Sequence, residues 1–246
     1  MKINVFKTVE ELIGAVADYF AETAESAIAL RGEFNVALSG GKSPERLYRL
    51  LASADFSQRV EWTKVNFFFG DERHVPMRDP DNNAFMVEKV LFDPLKISAS
   101  SIFRVDTTLP PDEAAERYGS AIARHFRGGE VRFDLVLLGL GDNAHTASLF
   151  PYSSVLKDKS VSVKAVYLKD EDRYRITMTA PLLNHSLHIV FLVFGESKSE
   201  AVYQILHGTV DPEKYPAQLI NPPEGDLQWF LDENAASGLQ RQGGIG

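Results

Sequence analysis

Phe133-Asp134-Leu135-Val136-Leu137-Leu138-Gly139-Leu140-Gly141-Asp142-Asn143-Ala144-His145-Thr146-Ala147-Ser148-Leu149-Phe150-Pro151 decides how this chain is read. Phe133 to Leu138 is mostly apolar and of strand length, as a strand buried on both faces must be. The glycines that follow let the backbone turn sharply beside a ligand. A helix is expected to begin at the histidine. His145 would then stand at the carboxyl end of a strand, where open α/β sheets bind their substrates.

Outward from this stretch, strands and helices alternate, which predicts a Rossmann-like α/β fold with a largely parallel sheet and helices on both faces. The spacing predicts helices over Thr8 to Leu30, Pro44 to Leu51, Asn83 to Phe92, Pro111 to Phe126 and Lys198 to Leu206. Strands are expected at Phe34 to Leu38, Val65 to Phe69, Phe133 to Gly139, Val161 to Leu168, Arg175 to Thr179 and His188 to Phe194, with a further one at Gln228 to Leu231. Asp71 to Asp81 and the proline-rich Asp211 to Gly225 read as loops, and Arg241 to Gly246 as a frayed end. With 246 residues and 44% hydrophobic content, the chain can bury a large core, and one domain over 1–246 is expected.

Composition removes several classes of function. There is no cysteine, so disulfides, thiolate nucleophiles and cysteine metal sites are excluded together, and a reducing compartment fits. Met1 to Lys7 lacks a signal-like pattern and no stretch approaches the roughly 18 apolar residues of a membrane span, so a cytoplasmic protein without membrane contact is expected. A net charge of -8 argues against nucleic-acid binding, which needs clustered Lys and Arg. An anionic ligand must therefore be met by local positive charge.

Two further loops supply that charge. In Leu38-Ser39-Gly40-Gly41-Lys42-Ser43-Pro44-Glu45, a strand again runs through glycines into a helix. Ser43 is expected to cap that helix and Pro44 to take its first position. Free amides at a helix start attract anions and Lys42 adds a full charge, so a phosphate fits, although a tight structural turn explains the same residues equally well. The spacing is not that of a Walker loop. In Phe67-Phe68-Phe69-Gly70-Asp71-Glu72-Arg73-His74-Val75-Pro76, Arg73 can grip a phosphate and Asp71 or Glu72 can orient a hydroxyl. His74 reads as a surface or packing residue. Lys198, following Gly195-Glu196-Ser197 at a helix start, is a further candidate for the same cleft.

Taken in order, Ser39-Gly40-Gly41 with Pro44, Asp71-Glu72-Arg73 with Val75-Pro76, and Gly139-Leu140-Gly141 with His145-Thr146-Ala147-Ser148-Leu149-Phe150-Pro151 resemble the 6-phosphogluconolactonases. The likeness continues through Arg175-Ile176-Thr177 and Gly195-Glu196-Ser197-Lys198 to Trp229-Phe230-Leu231-Asp232. The resemblance implies hydrolysis of 6-phospho-D-glucono-1,5-lactone to 6-phospho-D-gluconate in the oxidative pentose phosphate pathway, with no metal or organic cofactor. His145 would be the general base and Ser39, Gly40, Gly41, Lys42, Ser43, Asp71, Arg73, Arg175 and Lys198 would hold the substrate and its phosphate, with backbone amides of the Gly139 to His145 turn as candidate oxyanion donors. The related glucosamine-6-phosphate deaminases usually continue after the histidine as Ile-Ala-Phe-Asn-Glu-Pro, which is absent here. A monomer or weak homo-oligomer is expected.

One departure bears on the chemistry. Where the family usually places aspartate and glycine before the histidine, this chain has Asn143 and Ala144. An amide can accept a hydrogen bond but cannot stabilise an imidazolium with a full charge, and an alanine resists positive φ. Asp142 replaces the missing carboxylate from a shifted turn, or the enzyme is slower, or the chain binds sugar phosphates without turnover. Against other hydrolases, His185 and His188 lack carboxylates at ligand spacing and no Gly-x-Ser-x-Gly elbow occurs.

Overall fold

The computed structural model describes residues 1–242, and the part of the expected frayed end that covers 243–246 lies outside them. The chain opens with β1 (Lys2–Phe6), too short and mixed in polarity to be foreseen, then α1 (Val9–Arg31), whose first amides are capped by Thr8 and whose end is closed by Gly32 at φ 83°. β2 (Phe34–Leu38) leads to α2 (Lys42–Leu51), and β3 (Val65–Phe69) to the short β4 (Asp71–Arg73) inside the expected loop. α3 (Asn83–Val87) continues through a π turn at Glu88–Phe92 into α4 (Asp93–Leu95). α5 (Pro111–His125) precedes β5 (Phe133–Leu138). β6 (Val163–Leu168), β7 (Arg173–Met178), α6 (Ala180–Asn184), β8 (Ser186–Val193), α7 (Ser199–Leu206), β9 (Asp226–Asp232) and α8 (Glu233–Ala236) complete the order, with a final 3-10 helix over Ser237–Gln242.

Six strands form one parallel sheet in the order β1-β9-β8-β5-β2-β3. Every residue of β2 and β5 is buried, because helices cover both faces. Val36, Phe67, Leu135, Val190 and Phe230 pack with α1, α2 and α3 on one side, whereas Ala37, Phe68, Val136, Ile189 and Trp229 pack with α5 and α7 on the other. The expected strands around 161–179 do not join this sheet. β6 and β7 pair antiparallel with β4 as a separate three-stranded sheet, in the order β4-β7-β6. Its apolar face, with Val163, Ile176 and Met178, closes the α5 side of the core. Among the described residues no helix is long and apolar enough to cross a membrane.

Two expected helix starts are corrected. Gly41, not Ser43, occupies the N-cap of α2, with φ 100° and no side-chain cap, and Pro44 is the third helical residue. No helix starts at His145; the chain from 139 to 153 is a series of turns, with Ala144 and Ala147 in the left-handed region at φ 64° and 46°. Alternating left-handed residues cannot propagate a right-handed helix.

Two buried tyrosines finish the strands that carry the site. The Tyr48 hydroxyl accepts from Ser39 N at 3.0 Å and donates to Ser39 O at 2.8 Å, while Tyr118 brackets Phe69 in the same way at 2.7 and 3.1 Å. Each hydroxyl replaces the ladder partner a strand lacks where it ends in the interior. Tyr48→Phe strands both Ser39 groups and is expected to lower the unfolding free energy by about 1–3 kcal/mol. An unchanged urea midpoint at unchanged slope would refute that role.

Candidate active site

β2 and β5 lie side by side, but the chain leaves β2 toward β3 and leaves β5 toward β8, on opposite sides. The loops after the two strands therefore diverge and open a crevice, the place where sheets of this kind bind ligands. A cleft of about 490 Å³ occupies it, lined by Ser39 to Pro44, Asp71, Arg73, Asn83, Gly139 to Gly141, His145 to Ser148, Phe150, Arg175 and Lys198. The three loops singled out from the sequence meet there, with Arg175 added from β7.

The first wall is the Ser39–Ser43 loop at the start of α2, where the uncapped helix end and Lys42 present positive potential. Gly40 is required by a close approach, since a Cβ on it would stand 1.9 Å from Asn83 Oδ1. The second wall is the antiparallel sheet. Side chains alternate along β4, so Asp71 and Arg73 line the cleft while Glu72 points the other way and is buried. Register sets Arg73 opposite Arg175 and Asp71 opposite Thr177. Like charges directly opposed destabilise a sheet unless something answers them. Arg73 donates to Asp81 O at 2.8 Å, and Arg175 pairs with Glu171. Arg175 is buried and its Nε has no partner among the described residues. Asp71 accepts from Ser148 Oγ at 2.6 Å, and burial raises its pKa.

The third wall carries His145. Gly141 N donates to His145 O at 2.8 Å and Ala144 N to Gly141 O at 2.9 Å, folding the loop back over itself. The imidazole lies so close to Gly141 that a Cβ there would be 2.1 Å from Nδ1. On its flank Phe150 stacks at 4.1 Å between ring centres. Asn143 Oδ1 is 2.6 Å from His145 Nδ1. An amide oxygen only accepts, so this contact places the imidazole proton on Nδ1 and leaves Nε2 with a free lone pair. Burial, then the nearby Lys198 and Arg175, push the His145 pKa down to about 4.

Asp142 does not take the Nδ1 hydrogen bond, although its charge acts on the ring from a distance. It is exposed, it pairs with Lys198 Nζ at 2.5 Å, and it accepts from Ser197 Oγ at 3.2 Å, away from the Nδ1 that Asn143 occupies. Lys42, Arg73, Arg175 and Lys198 thus share the cleft with one half-buried carboxylate, Asp71, in a chain of net charge -8. The register that brings Arg175 against Arg73 had no local signal beyond an arginine in an alternating strand.

Fold and cleft together define an α/β protein with a crevice at the strand ends that is lined by cations and a histidine. A family model described as glucosamine-6-phosphate isomerases/6-phosphogluconolactonase matches residues 7–229, and the chain belongs to that family. It is 39% identical to the 6-phosphogluconolactonase of Synechocystis sp. over 219 residues, covering 87% of this chain and 88% of that one. The 6-phosphogluconolactonase of Nostoc sp. is 35% identical across 96% of this chain and 98% of its own. The solved 6-phosphogluconolactonase of Trypanosoma cruzi superposes with a TM-score of 0.86 at 27% identity, covering 97% and 96% of the two chains.

The depressed pKa has a measurable sign. His145 should stay neutral as pH falls until about pH 4, whereas an unperturbed imidazole is half protonated near 6.5. Nuclear magnetic resonance of the ring protons checks this, and a midpoint at 6.5 would show that neither burial nor the cations act on the ring.

Proposed function

We propose that this chain, acting as one domain over 1–246 in the cytoplasm, hydrolyses 6-phospho-D-glucono-1,5-lactone to 6-phospho-D-gluconate in the oxidative pentose phosphate pathway, with His145 as general base. The observation that carries the role of His145 is its bond to Asn143, which leaves Nε2 basic in a cleft of cations. Nε2 takes a proton from water as the water oxygen bonds to the lactone carbonyl carbon. The carbonyl oxygen becomes an oxyanion. As the intermediate collapses, the bond from that carbon to the ring oxygen breaks, and the imidazolium returns its proton to the leaving oxygen. The sequence needs no metal or organic cofactor.

The amides of Gly141, Ala144 and His145 already donate within the loop. Oxyanion stabilisation therefore falls to the other amides of the turn. The Gly40–Ser43 loop, Arg73, Arg175 and Lys198 receive the phosphate. A bound dianion offsets the Lys198 and Arg175 charges that add to burial in holding His145 low, so the base strengthens when the substrate arrives.

Asn143 also gives grounds for a second reading, a sugar-phosphate binding protein without turnover, because an amide leaves the imidazolium uncompensated. Both readings are separated by following 6-phosphogluconate formation from lactone generated freshly by glucose-6-phosphate dehydrogenase. Wild type should exceed the uncatalysed rate, and His145→Ala should lower kcat by roughly a hundredfold or more. Binding without acceleration, restored by Asn143→Asp, would establish the second reading. Release of ammonia from glucosamine 6-phosphate would favour a deaminase instead. Arg73→Ala should chiefly raise KM, and wild-type kinetics in that variant would remove Arg73 from the site.

A further inference from the structure

Glu72 is a buried carboxylate that the chemistry above does not use. It lies on the face of β4 opposite Asp71 and Arg73, 1% exposed. Its Oε1 accepts from Arg73 N at 2.8 Å and Asn83 N at 2.7 Å, and its Oε2 from Ala84 N at 2.9 Å. One of these amides belongs to β4 and two to the first turn of α3, so a single side chain ties strand to helix. Burial raises its carboxyl to about 7, and the three amides oppose that shift by favouring the ionised form.

The tie continues into the cleft. Asn83 Nδ2 donates to Asp71 O at 3.0 Å, and the Asn83 side chain lies against Gly40, where a Cβ would force it to shift. Asn83 itself lines the cleft. Arg73, Glu72, Asn83 and Gly40 therefore form one chain of contacts joining the loop after β2 to the strand after β3. That loop and strand supply Lys42, Arg73 and the helix end, part of the set that meets the substrate anion.

We propose that Glu72 is a positioning residue for the anion site, setting the spacing between Arg73 and the Gly40–Ser43 loop and thereby the affinity for the substrate phosphate. The inference rests on the phosphorylated-lactone reading. Glu72→Gln keeps the shape, removes the charge and brings an NH₂ group against backbone N–H groups. It should raise KM for the phosphorylated lactone about tenfold or more while kcat changes less than about twofold. Turnover of glucono-1,5-lactone, which lacks the phosphate, should stay at the wild-type level. Equal loss on both lactones, or an unchanged KM, overturns the proposal.

Calorimetry with 6-phosphogluconate separates this inference from the catalytic reading. Wild-type binding that weakens about tenfold in Glu72→Gln supports the positioning role even where the wild type hydrolyses nothing, and equal affinities overturn it. Absence of wild-type binding overturns both. Should Glu72→Gln fail to fold, Asn83→Ala leaves all three amides in place and is expected to weaken 6-phosphogluconate binding. Unchanged affinity in that variant sinks the proposal.

Discussion

β2 and β5 run side by side through a fully buried layer, and everything functional follows from what their backbones must do on leaving it. A strand that ends inside a protein leaves amides and carbonyls that water cannot reach. Here a tyrosine hydroxyl finishes β2, another finishes β3, and the chain beyond β5 folds back through Gly141 and His145. The crevice is the space left where these endings diverge. Its walls are held by groups that also satisfy the sheet, so site and core are one hydrogen-bonded body.

Charge in the cleft is balanced by carboxylates and carbonyls at its edge. Asp142 answers Lys198, Glu171 answers Arg175, and the Asp81 carbonyl answers Arg73. Asp142 and Glu171 are well exposed, so solvent screens the acidic side of each pairing. Asp71 is different: half-buried and tied to Ser148, it links the antiparallel sheet to the His145 loop. An acidic protein can thus hold a cationic pocket, because among the described residues Asp71 alone brings a carboxylate into its lining.

Much of this was legible in the residues. Apolar runs ending in glycine located β2 and β5, and the loops that follow them carry Lys42 and His145. β4 was not legible, since Asp-Glu-Arg has no alternation of polarity and pairs only because β7 lies beside it. The pairing of Arg175 with Arg73 is likewise a matter of register between segments about a hundred residues apart in the chain. The expected cap at Ser43 failed because Gly41 reaches a positive φ that places the cap two residues earlier. The expected helix at His145 failed for a related reason, two left-handed alanines. Asp142 could not be told from Asn143 by spacing, because only the turn decides which side chain faces the ring.

Those alanines have a consequence for how the imidazole is kept ready. A glycine at 144 would enter the left-handed region freely, in the unfolded chain as well as the folded one. Alanine resists that conformation, so the core packed around the buried Ala144 must impose it as the protein folds. Once imposed, the turn has fewer ways to rearrange than glycine would allow. The orientation of the ring is thus fixed during folding, in a turn that the surrounding core holds rather than one free to sample alternatives.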